Sequence, residues 1–365
     1  MKISIGSKIV QGPWGGGNLF AINLSNYLKS RGHEVFYDLS DPNLDLILLT
    51  DPRSRSESSS TFNHIEIEKY KLLVNPNVAV VQRINECDER KNTENINSFY
   101  LDASKVADHV VFVSKWLRNI YIDIGMEESK TSVILAGANK EIFNNSDMNK
   151  WDKESKLKIL THHWSSHENK GFKIYKYIDD MLNEPHWKDK ISFTYIGNLN
   201  DNYTFNNSQI INPLAGLELS EEIKKHHLYI TASINEPSGN HHIEAAQCGL
   251  PILYKESGGI PEYCKEYGLG FNNNFEEKLN EIINNYDIYY KKLKKYPFNA
   301  DRMCEEFFSI FENVIDEKQN NYKYFKKGAR GNLLLFKNKI INKIRTNYIS
   351  NLQNLVLSIF RKVKK

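Results

Sequence analysis

Cysteine is scarce in this chain, and the pattern of the few present excludes two classes of small protein. The 365 residues include four cysteines, at Cys87, Cys248, Cys264 and Cys304. No two of them form the C-x-x-C pair of a zinc knuckle, and they are too widely spaced to indicate a disulfide framework. We therefore predict reduced, mostly buried thiols in a cytoplasmic protein.

Long apolar runs are also missing. No apolar run in the sequence reaches the roughly 18–20 residues that span a bilayer. The short apolar start, from Met1 to Gly6, is too short for the core of a signal peptide. With 40% hydrophobic and 25% charged residues, the composition is that of a globular protein long enough for two domains.

Acidic residues are absent from the end of the chain. Residues 318–365 contain thirteen Lys and Arg and no Asp or Glu, so the first 317 residues hold 35 basic and all 45 acidic residues. Apolar positions recur at near-helical spacing within 333–365, which predicts a basic amphipathic helix lying on an anionic membrane surface. Packing on the body or in an oligomer is the alternative. Nucleic acid is disfavoured because no recognised reading module is present.

Two series of short β-rich runs, separated by helix-length gaps, indicate two parallel sheets. The first series is Ile3–Ile5, Glu34–Leu39, Asp45–Thr50, Val78–Ile84, Val110–Ser114 and Ser132–Leu135. The second series is Leu157–Thr161, Ile191–Ile196, Gln209–Leu214, Leu228–Ala232 and Pro251–Tyr254. We predict an α/β chain with two doubly wound, Rossmann-like domains facing a central cleft.

The domain boundaries follow from these two series. We place the first domain at 1–148, the second at 149–317 and the basic amphipathic tail at 318–365, of which the part before 333 reads as a linker. One amphipathic helix over Phe298–Glu317 is predicted to close the second domain back on the first.

The segment from Glu236 to Glu244, which reads EPSGNHHIE, is the most informative stretch. It lies between a strand-like run and a helical run, with Glu236 on the loop and Glu244 about two turns into the helix. Free N–H groups at a helix start favour an anion, because they point outward and the helix dipole favours negative charge. Amides for phosphate and carboxylates for hydroxyls together suit a nucleotide sugar.

Two further loops are candidates for the same site. The loop GPWGGGN at 12–18 can approach a ligand closely because glycine lacks a side chain, although a tight turn is the alternative. It matches neither the dinucleotide fingerprint nor a P-loop. In THHWSSHENKG at 161–171, Lys170 would neutralise the charge that builds on a departing diphosphate.

Histidines and polar residues near these loops have simpler interpretations. The three histidines of 161–171 lack a fourth zinc ligand at suitable spacing, so we predict no metal site. Surface positions, or positions behind the site, are expected for His226, His227, His241 and His242. The loop QRINECDER at 82–90 predicts a cleft wall, with a solvated loop as the alternative. Glu262 is expected to cap a structural element.

Over roughly residues 1–317 the chain resembles the retaining glycosyltransferases of the GT-B type, which have two Rossmann-like domains, in the large family usually numbered four (glycosyl transferases group 1). The most specific match is EPSGNHHIEAAQCGLPILYKESGGIPE, which starts at Glu236 and carries the Glu-x7-Glu spacing. The glycine loop, VSKWL at 113–117 and NKG at 169–171 match less specifically.

This resemblance implies a role for each matching position. Glu236 would contact hydroxyls of the transferred sugar, Glu244 would bind the nucleotide ribose, and Lys170 would hold the diphosphate. The family needs no metal, so we expect no cofactor beyond the donor itself. The other donor-binding positions that it implies are Gly16, Gly17, Ser165, Leu214, Gly239 and Asn240, with Leu214 at the base pocket.

The chain departs from the family pattern at two places. Ser165 stands where the family often has an arginine five residues before the lysine, and His163 or His167 could compensate. On the acceptor side the family often has a histidine, whereas this chain has Arg83-Ile84-Asn85. Asp88 is then the nearest candidate for an acceptor contact.

We therefore expect a glycosyltransferase in the cytoplasm, peripheral on the inner face of the cell membrane. It would move a hexose-type unit, with retention, from a nucleotide diphosphate sugar to a glycan or lipid-linked acceptor in bacterial cell-envelope polysaccharide or lipopolysaccharide synthesis. A non-catalytic glycan- or nucleotide-binding subunit is the alternative, favoured by the serine at position 165. A sugar-nucleotide epimerase or a phosphorylase is another; a dehydrogenase is disfavoured because the dinucleotide fingerprint is missing.

Overall fold

The computed structural model describes residues 1–10, 12, 15–53 and 60–327, with side chains to residue 320. Within these residues, twelve parallel strands form two six-stranded sheets. The first sheet contains β1 Lys2–Ile5, β2 Glu34–Phe36, β3 Leu46–Leu49, β4 Ala79–Ile84, β5 His109–Phe112 and β6 Thr131–Val133. The second contains β7 Leu157–His163, β8 Ile191–Gly197, β9 Gln209–Ile211, β10 Leu228–Thr231, β11 Ile252–Lys255 and β12 Gly268–Phe271.

Helices connect the strands and cover the sheets. The first domain contains α1 Gly15–Ser30, α2 His64–Leu73, α3 Asp88–Lys91, α4 Ile96–Ala103 and α5 Lys115–Asp123. The second contains α6 Phe172–Met181, α7 Gly216–Lys224, α8 Asn240–Gln247, α9 Ile260–Cys264, α10 Phe275–Asn284, α11 Tyr286–Leu293 and α12 Ala300–Lys327. Short 3-10 turns lie at Ser104–Val106, Glu128–Lys130 and Glu168–Lys170.

Strand order places a crevice in each domain. The first sheet has the order β2-β1-β3-β4-β5-β6 and the second β12-β11-β10-β7-β8-β9. Successive strands are therefore added toward one edge of the sheet and then toward the other, and this change of direction falls between β1 and β3 in the first sheet and between β7 and β10 in the second. Loops that follow these strands diverge at the carboxyl edge, which is where open α/β sheets bind ligands.

The predicted α/β class with two doubly wound domains is confirmed. Each of the eleven predicted runs coincides with a strand, while β12 is an additional strand. Its sequence, GLGF, lacks the β-branched residues that signal a strand. It is held against β11 instead, where a Cβ at Gly268 would lie 2.1 Å from the carbonyl oxygen of Ile252.

The last helix returns to the first domain. Phe307 of α12 packs against Phe20 of α1 with ring centroids 5.0 Å apart, and Nζ of Lys318 lies 2.6 Å from a carboxylate oxygen of Asp108. The helix continues to Lys327, ten residues beyond its predicted end. The expected linker after 317 is therefore helical over its first part, and the predicted tail helix at 333–365 lies outside the described residues.

The two chain segments that join the domains lie side by side. Ala138, after β6, forms a bridge with Asn299, just before α12, and the Ala300 N–H donates to the Ala138 carbonyl at 2.8 Å. A Cβ at Gly137 would lie 2.1 Å from the Asn299 carbonyl oxygen, so only glycine allows this approach. The chain thus passes between the domains twice, and its two connecting segments are hydrogen-bonded to each other.

The predictions drawn from the few cysteines and from the lack of long apolar runs can be compared with the structure. All four cysteines are buried and unpaired, as predicted. In the part of the chain that the structure describes, no helix combines the length and the apolar character needed to cross a membrane.

Candidate active site

The loop after β10 presents Glu236 to the cleft between the domains. Its backbone turns sharply on either side of this residue, since Asn235 has φ +52° and Gly239 has φ +99°. The Gly259 N–H donates to the Glu236 carbonyl at 2.9 Å. A Cβ at Gly258 would lie 2.4 Å from that same oxygen, so the neighbouring loop fixes the backbone of Glu236 by close contact.

Two cations surround the Glu236 carboxylate. The ammonium of Lys170 contacts Oε2, and Nε of Arg90 lies 3.2 Å from Oε1. The side chains of Glu236 and Lys170 are 7% and 13% exposed. Burial alone would raise the pKa of Glu236, but the charges of Arg90 and Lys170 outweigh it and hold that pKa well below its usual range. Glu236 is therefore a carboxylate at neutral pH.

The pKa values of the two cations move in opposite directions. Burial lowers the pKa of Lys170, an effect that the nearby Glu236 carboxylate opposes. The Glu236 charge raises the pKa of Arg90. Lys170 is thus the more weakly stabilised charge of the pair, and a second anion beside it would favour its protonated form.

Arg90 belongs to the first domain and crosses the cleft from α3. Its Nη1 lies 3.3 Å from both carboxylate oxygens of Glu86. The amide of Asn169 donates to the Arg90 carbonyl at 3.0 Å, and the amide of Asn235 donates to the Glu89 carbonyl at 3.1 Å. These contacts bring the predicted cleft wall, residues 82–90, against the loops that carry Lys170 and Glu236.

Glu244 is held by a buried histidine. It lies in α8, which begins at Asn240, so it is about one turn into the helix rather than the predicted two. Nε2 of His162 lies 2.9 Å from Oε2 of Glu244, and the His162 N–H donates to the hydroxyl of Tyr229 at 3.1 Å. Both side chains of this pair are less than one-tenth exposed. The pairing fixes the carboxylate at the base of the loop.

Three histidines, His163, His241 and His242, are buried behind the loops of the candidate site. His163 lies 2.7 Å from the hydroxyl of Tyr175, and its ring centroid is 4.6 Å from that of His241. Burial keeps the pKa of both histidines well below the ordinary value and lowers that of His242 to about 3. His241 and His242 are buried, so the predicted position behind the site holds and the surface alternative is wrong.

The other predicted pair of histidines is also buried. His226 lies 2.9 Å from the hydroxyl of Thr194, and Nδ1 of His227 accepts from the Lys158 N–H at 3.1 Å. Of the two predicted alternatives, the surface position is therefore wrong for this pair as well, because both rings are buried and have hydrogen-bond partners inside the second domain. Among the described residues, no group of three or more His, Cys, Asp and Glu could hold a metal ion.

The first turns of α1 and α8 face each other across the cleft. A Cβ at Gly16 would lie 3.0 Å from the amide oxygen of Asn240, whereas a Cβ at Gly17 would meet none of the described atoms within 4 Å. Three predicted donor-binding residues, Gly16, Gly239 and Asn240, are thus brought together. Gly17 opens onto free space beside them, where a ligand can approach the backbone.

On the predicted acceptor side, Arg83 is the penultimate residue of β4 and is buried. Its guanidinium lies 4.2 Å from the ring centroid of Phe20, and burial lowers its pKa to about 10. Within the described residues, no carboxylate forms an ion pair with it. Asn85 follows on the same loop and is half-buried.

The Asp88 carboxylate, predicted to contact the acceptor, is instead occupied by hydrogen bonds within its own domain. Its two carboxylate oxygens accept from the N–H groups of Ile96 and Asn97, each at 2.9 Å, and one also accepts from the Thr93 hydroxyl at 2.9 Å. The carboxylate therefore caps the start of α4 within its own domain. We do not include Asp88 among the candidate catalytic groups.

The two remaining predicted donor-side positions are Leu214 and Ser165. Leu214 is half-buried against the apolar core, just before α7. The hydroxyl of Ser165 accepts from the His167 N–H at 3.3 Å, and Nδ1 of His167 accepts from the Asn169 N–H at 3.2 Å. His163 points instead to Tyr175. Neither histidine therefore places a cation beside Lys170.

Arg90 is the residue beside Glu236 that the sequence prediction missed. It lies in the polar loop 82–90 predicted to form a cleft wall, and that loop was the available signal. Its partner, however, is 146 positions away in the sequence and belongs to the other domain. No local pattern in the sequence predicts such a pair.

Glu262 caps a helix of the opposite domain. Its carboxylate accepts from the N–H groups of Lys115 and Trp116, each at 2.8 Å, at the first turn of α5. Next to it, the hydroxyl of Tyr263 donates to the Val113 carbonyl at 2.6 Å. The predicted capping role therefore joins the two domains along the side of the cleft.

Part of the chain matches a known family model. Residues 198–299 match the model described as glycosyl transferases group 1. This stretch contains Glu236, Glu244 and the glycines around them, and the match supports a glycosyltransferase. None of the curated proteins matches the chain in sequence.

Several solved structures share the fold. A glycosyltransferase from Rickettsia africae ESF-5 matches with a TM-score of 0.61 and 14% identity, over 86% of this chain and 98% of its own. Alr3699/HepE of Anabaena, in complex with UDP and glucose, matches with 0.54 and 14%, over 90% and 99%. The catalytic domain of Arabidopsis thaliana starch synthase IV, bound to ADP and acarbose, matches with 0.62 and 11%, over 86% and 99%. At these identities the likeness shows the two-domain GT-B fold.

Proposed function

We propose that this protein is a retaining glycosyltransferase that moves a hexose-type unit from a nucleotide diphosphate sugar to a glycan or lipid-linked acceptor. Its pathway would be the synthesis of cell-envelope polysaccharide or lipopolysaccharide in a bacterium. The observation that carries the proposal is the buried Glu236 carboxylate, which is held between two cations at the facing edges of the two domains.

The chemistry of this arrangement fits an activated sugar. A carboxylate that stays ionised at neutral pH accepts hydrogen bonds from sugar hydroxyls. The ammonium of Lys170 beside it stabilises negative charge on a departing diphosphate, and it does so most strongly in a site that excludes water. The first turns of α1 and α8 add free N–H groups on both sides of the phosphates.

The ribose and the base belong to the second domain under this proposal. Glu244, oriented by His162, accepts hydrogen bonds from the ribose hydroxyls, and Leu214 contributes an apolar contact to the base. Lys170 and the helix starts supply the charge stabilisation that a metal ion would otherwise give. We propose that transfer needs no metal.

The acceptor and the membrane complete the proposal. Under this proposal Arg83 and Asn85 would contact the acceptor from the first domain. We propose that residues 333–365 hold the protein on the inner face of the cell membrane, since thirteen basic and no acidic residues lie at 318–365 and anionic lipid attracts such segments. A lipid-linked acceptor lies at that surface.

Donor turnover, in which water accepts the sugar in place of the glycan, can be tested directly with the full chain. The protein is incubated with nucleotide diphosphate sugars that differ in base and sugar, and the released nucleoside diphosphate is measured with and without EDTA. We expect release with one donor class, unaffected by EDTA. Glu236→Gln should lower the rate by about a hundredfold or more, because a neutral amide replaces the carboxylate charge that Lys170 and Arg90 hold at the reacting centre.

The control is Glu222→Gln, which removes a carboxylate of the last turns of α7 whose one ion pair among the described residues is with Lys225, at 2.7 Å. It should leave the rate unchanged. Full activity in Glu236→Gln would refute the assigned role. Tight diphosphate binding without any turnover would favour the non-catalytic subunit instead, and a product with inverted anomeric configuration, read by NMR, would refute retention.

A further inference from the structure

We propose that Arg90, a residue of the first domain, binds the donor diphosphate together with Lys170, so that one phosphate-binding cation comes from each domain. This inference rests on the proposed function and goes beyond it, because it assigns a donor contact to the domain that faces the acceptor. It also explains how the site works with Ser165 in place of an arginine.

The charges around the site call for an incoming anion. Lys170 and Arg90 share the carboxylate of Glu236, while Arg90 and Lys91 share that of Glu86 at 3.3 and 3.6 Å. Three cations thus face two carboxylates. When sugar hydroxyls occupy Glu236, both of its cations lose part of their compensation, and a diphosphate restores it.

Arg90 has the geometry for this role. The guanidinium presents several N–H donors in a planar fork that matches phosphate oxygens, and it stays charged under all ordinary conditions. Nε faces Glu236 and Nη1 faces Glu86. A phosphate that displaces the Glu236 contact can therefore bind Arg90 while Glu86 keeps the guanidinium in place.

The position of Arg90 is set by the loops that form the donor site. Asn169 precedes Lys170 and donates to the Arg90 carbonyl, and Asn235 precedes Glu236 and donates to the Glu89 carbonyl. Asn92, the residue that caps the end of α3, has φ +52°. Arg90 is thus fixed relative to Lys170 and Glu236 only when the domains are closed, so diphosphate binding would favour the closed arrangement.

The experiment compares nucleoside diphosphates with monophosphates. Binding of UDP, GDP, ADP, CDP and dTDP and of the corresponding monophosphates is measured by titration calorimetry for the wild-type chain, Arg90→Gln and Arg90→Lys. We expect Arg90→Gln to weaken the preferred diphosphate by about tenfold to a hundredfold. Its monophosphate should bind as to the wild type, and Arg90→Lys should lose less.

Both variants should fold, since Glu236 keeps Lys170 and Glu86 keeps Lys91 as partners, and a thermal melt checks this. Glu262→Gln is the control for weakened domain contact, because it lies at the α5 cap; its ratio of diphosphate to monophosphate affinity should stay at the wild-type value. An unchanged ratio in Arg90→Gln and Arg90→Lys overturns the inference and leaves the proposed function standing. A wild-type chain that binds no nucleoside diphosphate overturns both.

Discussion

Nε2 of His162 lies 2.9 Å from Oε2 of Glu244, and neither side chain is as much as one-tenth exposed. His162 is the penultimate residue of β7 and Glu244 lies in α8, so the contact joins the two strand–helix units on either side of the point where the strand order of the second sheet reverses. The histidine occupies Oε2 of this carboxylate, so under the proposed function Oε1 is the oxygen that a ribose hydroxyl would contact. His162 is therefore a positioning residue for Glu244.

Replacing this histidine should weaken nucleotide binding without removing a ligand contact. We expect His162→Leu to lower the affinity for the preferred nucleoside diphosphate by about tenfold, because the orienting hydrogen bond is lost. A 2′,3′-dideoxy analogue of that nucleotide is the comparison, measured by calorimetry. It lacks the hydroxyls that Glu244 would bind, so its affinity should not change. Equal losses for both nucleotides would contradict the positioning role.

Arg83 should separate stability from activity. Its guanidinium is buried over Phe20, without an ion pair in the described residues, so its removal leaves no carboxylate unpaired. We expect Arg83→Leu to keep or raise the unfolding free energy by about 1 kcal/mol, while sugar transfer falls at least tenfold. Urea unfolding and the transfer assay measure the two effects. A large loss of stability would instead show that Arg83 is a structural cation.

The glycines at the start of α1 provide a second test of ligand proximity. A Cβ at Gly17 meets no atom of the described residues within 4 Å, and alanine in a helix is more stable than glycine by roughly 0.5–1 kcal/mol. Gly17→Ala should therefore raise the melting temperature yet lower donor affinity, because the methyl group occupies space beside the phosphates. Unchanged affinity by calorimetry would place the donor away from α1.

Gly16→Ala is the matched variant. Its Cβ would lie 3.0 Å from the Asn240 amide oxygen, so closure of the domains requires that amide to shift. We expect a lower affinity than in Gly17→Ala without a gain in stability. The pair thus distinguishes obstruction of the ligand from obstruction of the domain contact.

The strands could be predicted because they are local and buried on both faces. Continuous apolar, β-branched runs such as Val78–Ile84 predict a strand without knowledge of its neighbours. The positions of Glu236, Lys170 and the glycine loop followed from the same pattern, since loops after parallel strands share one edge of a sheet. β12 was missed because two of its four residues are glycines, which do not favour a strand. It forms a strand through its pairing with β11, which the local sequence does not reveal.

Pairings between the domains could not be predicted from the sequence. Arg90 reaches Glu236, and Glu262 reaches α5, only because the domains pack in one relative orientation. Asp88 shows the complementary limit, since its side chain is occupied by N–H groups eight and nine residues further along the same loop. Whether a loop carboxylate caps its own backbone or faces a ligand depends on the loop conformation.

The buried histidines predict a loss of stability in mild acid. His163, His241 and His242 stay neutral in the folded protein, because burial depresses their pKa values. The unfolded chain protonates them below about pH 6.5. Protons then bind the unfolded state preferentially, so stability falls as pH drops below that value, by about 1.4 kcal/mol per pH unit for each histidine. It is fully retained above pH 7.

Urea unfolding at pH 7, 6 and 5 measures this slope. His242→Phe removes one of the three groups, and both of its ring nitrogens lack partners in the described structure. The variant should lower the slope by about one proton's worth, roughly 1.4 kcal/mol per pH unit. A slope equal to that of the wild type would show that His242 is protonated in the folded state.

Binding to lipid is the test for the basic tail, and the structure moves the truncation point. Lys318 contacts Asp108 and the Val78 carbonyl of the first domain, and α12 continues to Lys327, so a cut at 318 would damage the body. Deletion of 328–365 spares this helix. We expect the full chain to bind vesicles that contain phosphatidylserine, with affinity that falls as salt rises, because the attraction is screened.

Binding is measured by sedimentation of the vesicles. The truncated chain should remain in solution in this assay, while it keeps its affinity for nucleoside diphosphates. Neutral phosphatidylcholine vesicles are the lipid control and should bind neither form. Equal binding of the full and truncated chains to anionic vesicles would refute the anchor. A change in oligomeric state on truncation, without any change in vesicle binding, would assign the tail to a contact between protein chains, since the same apolar stripe can pack on protein or on lipid.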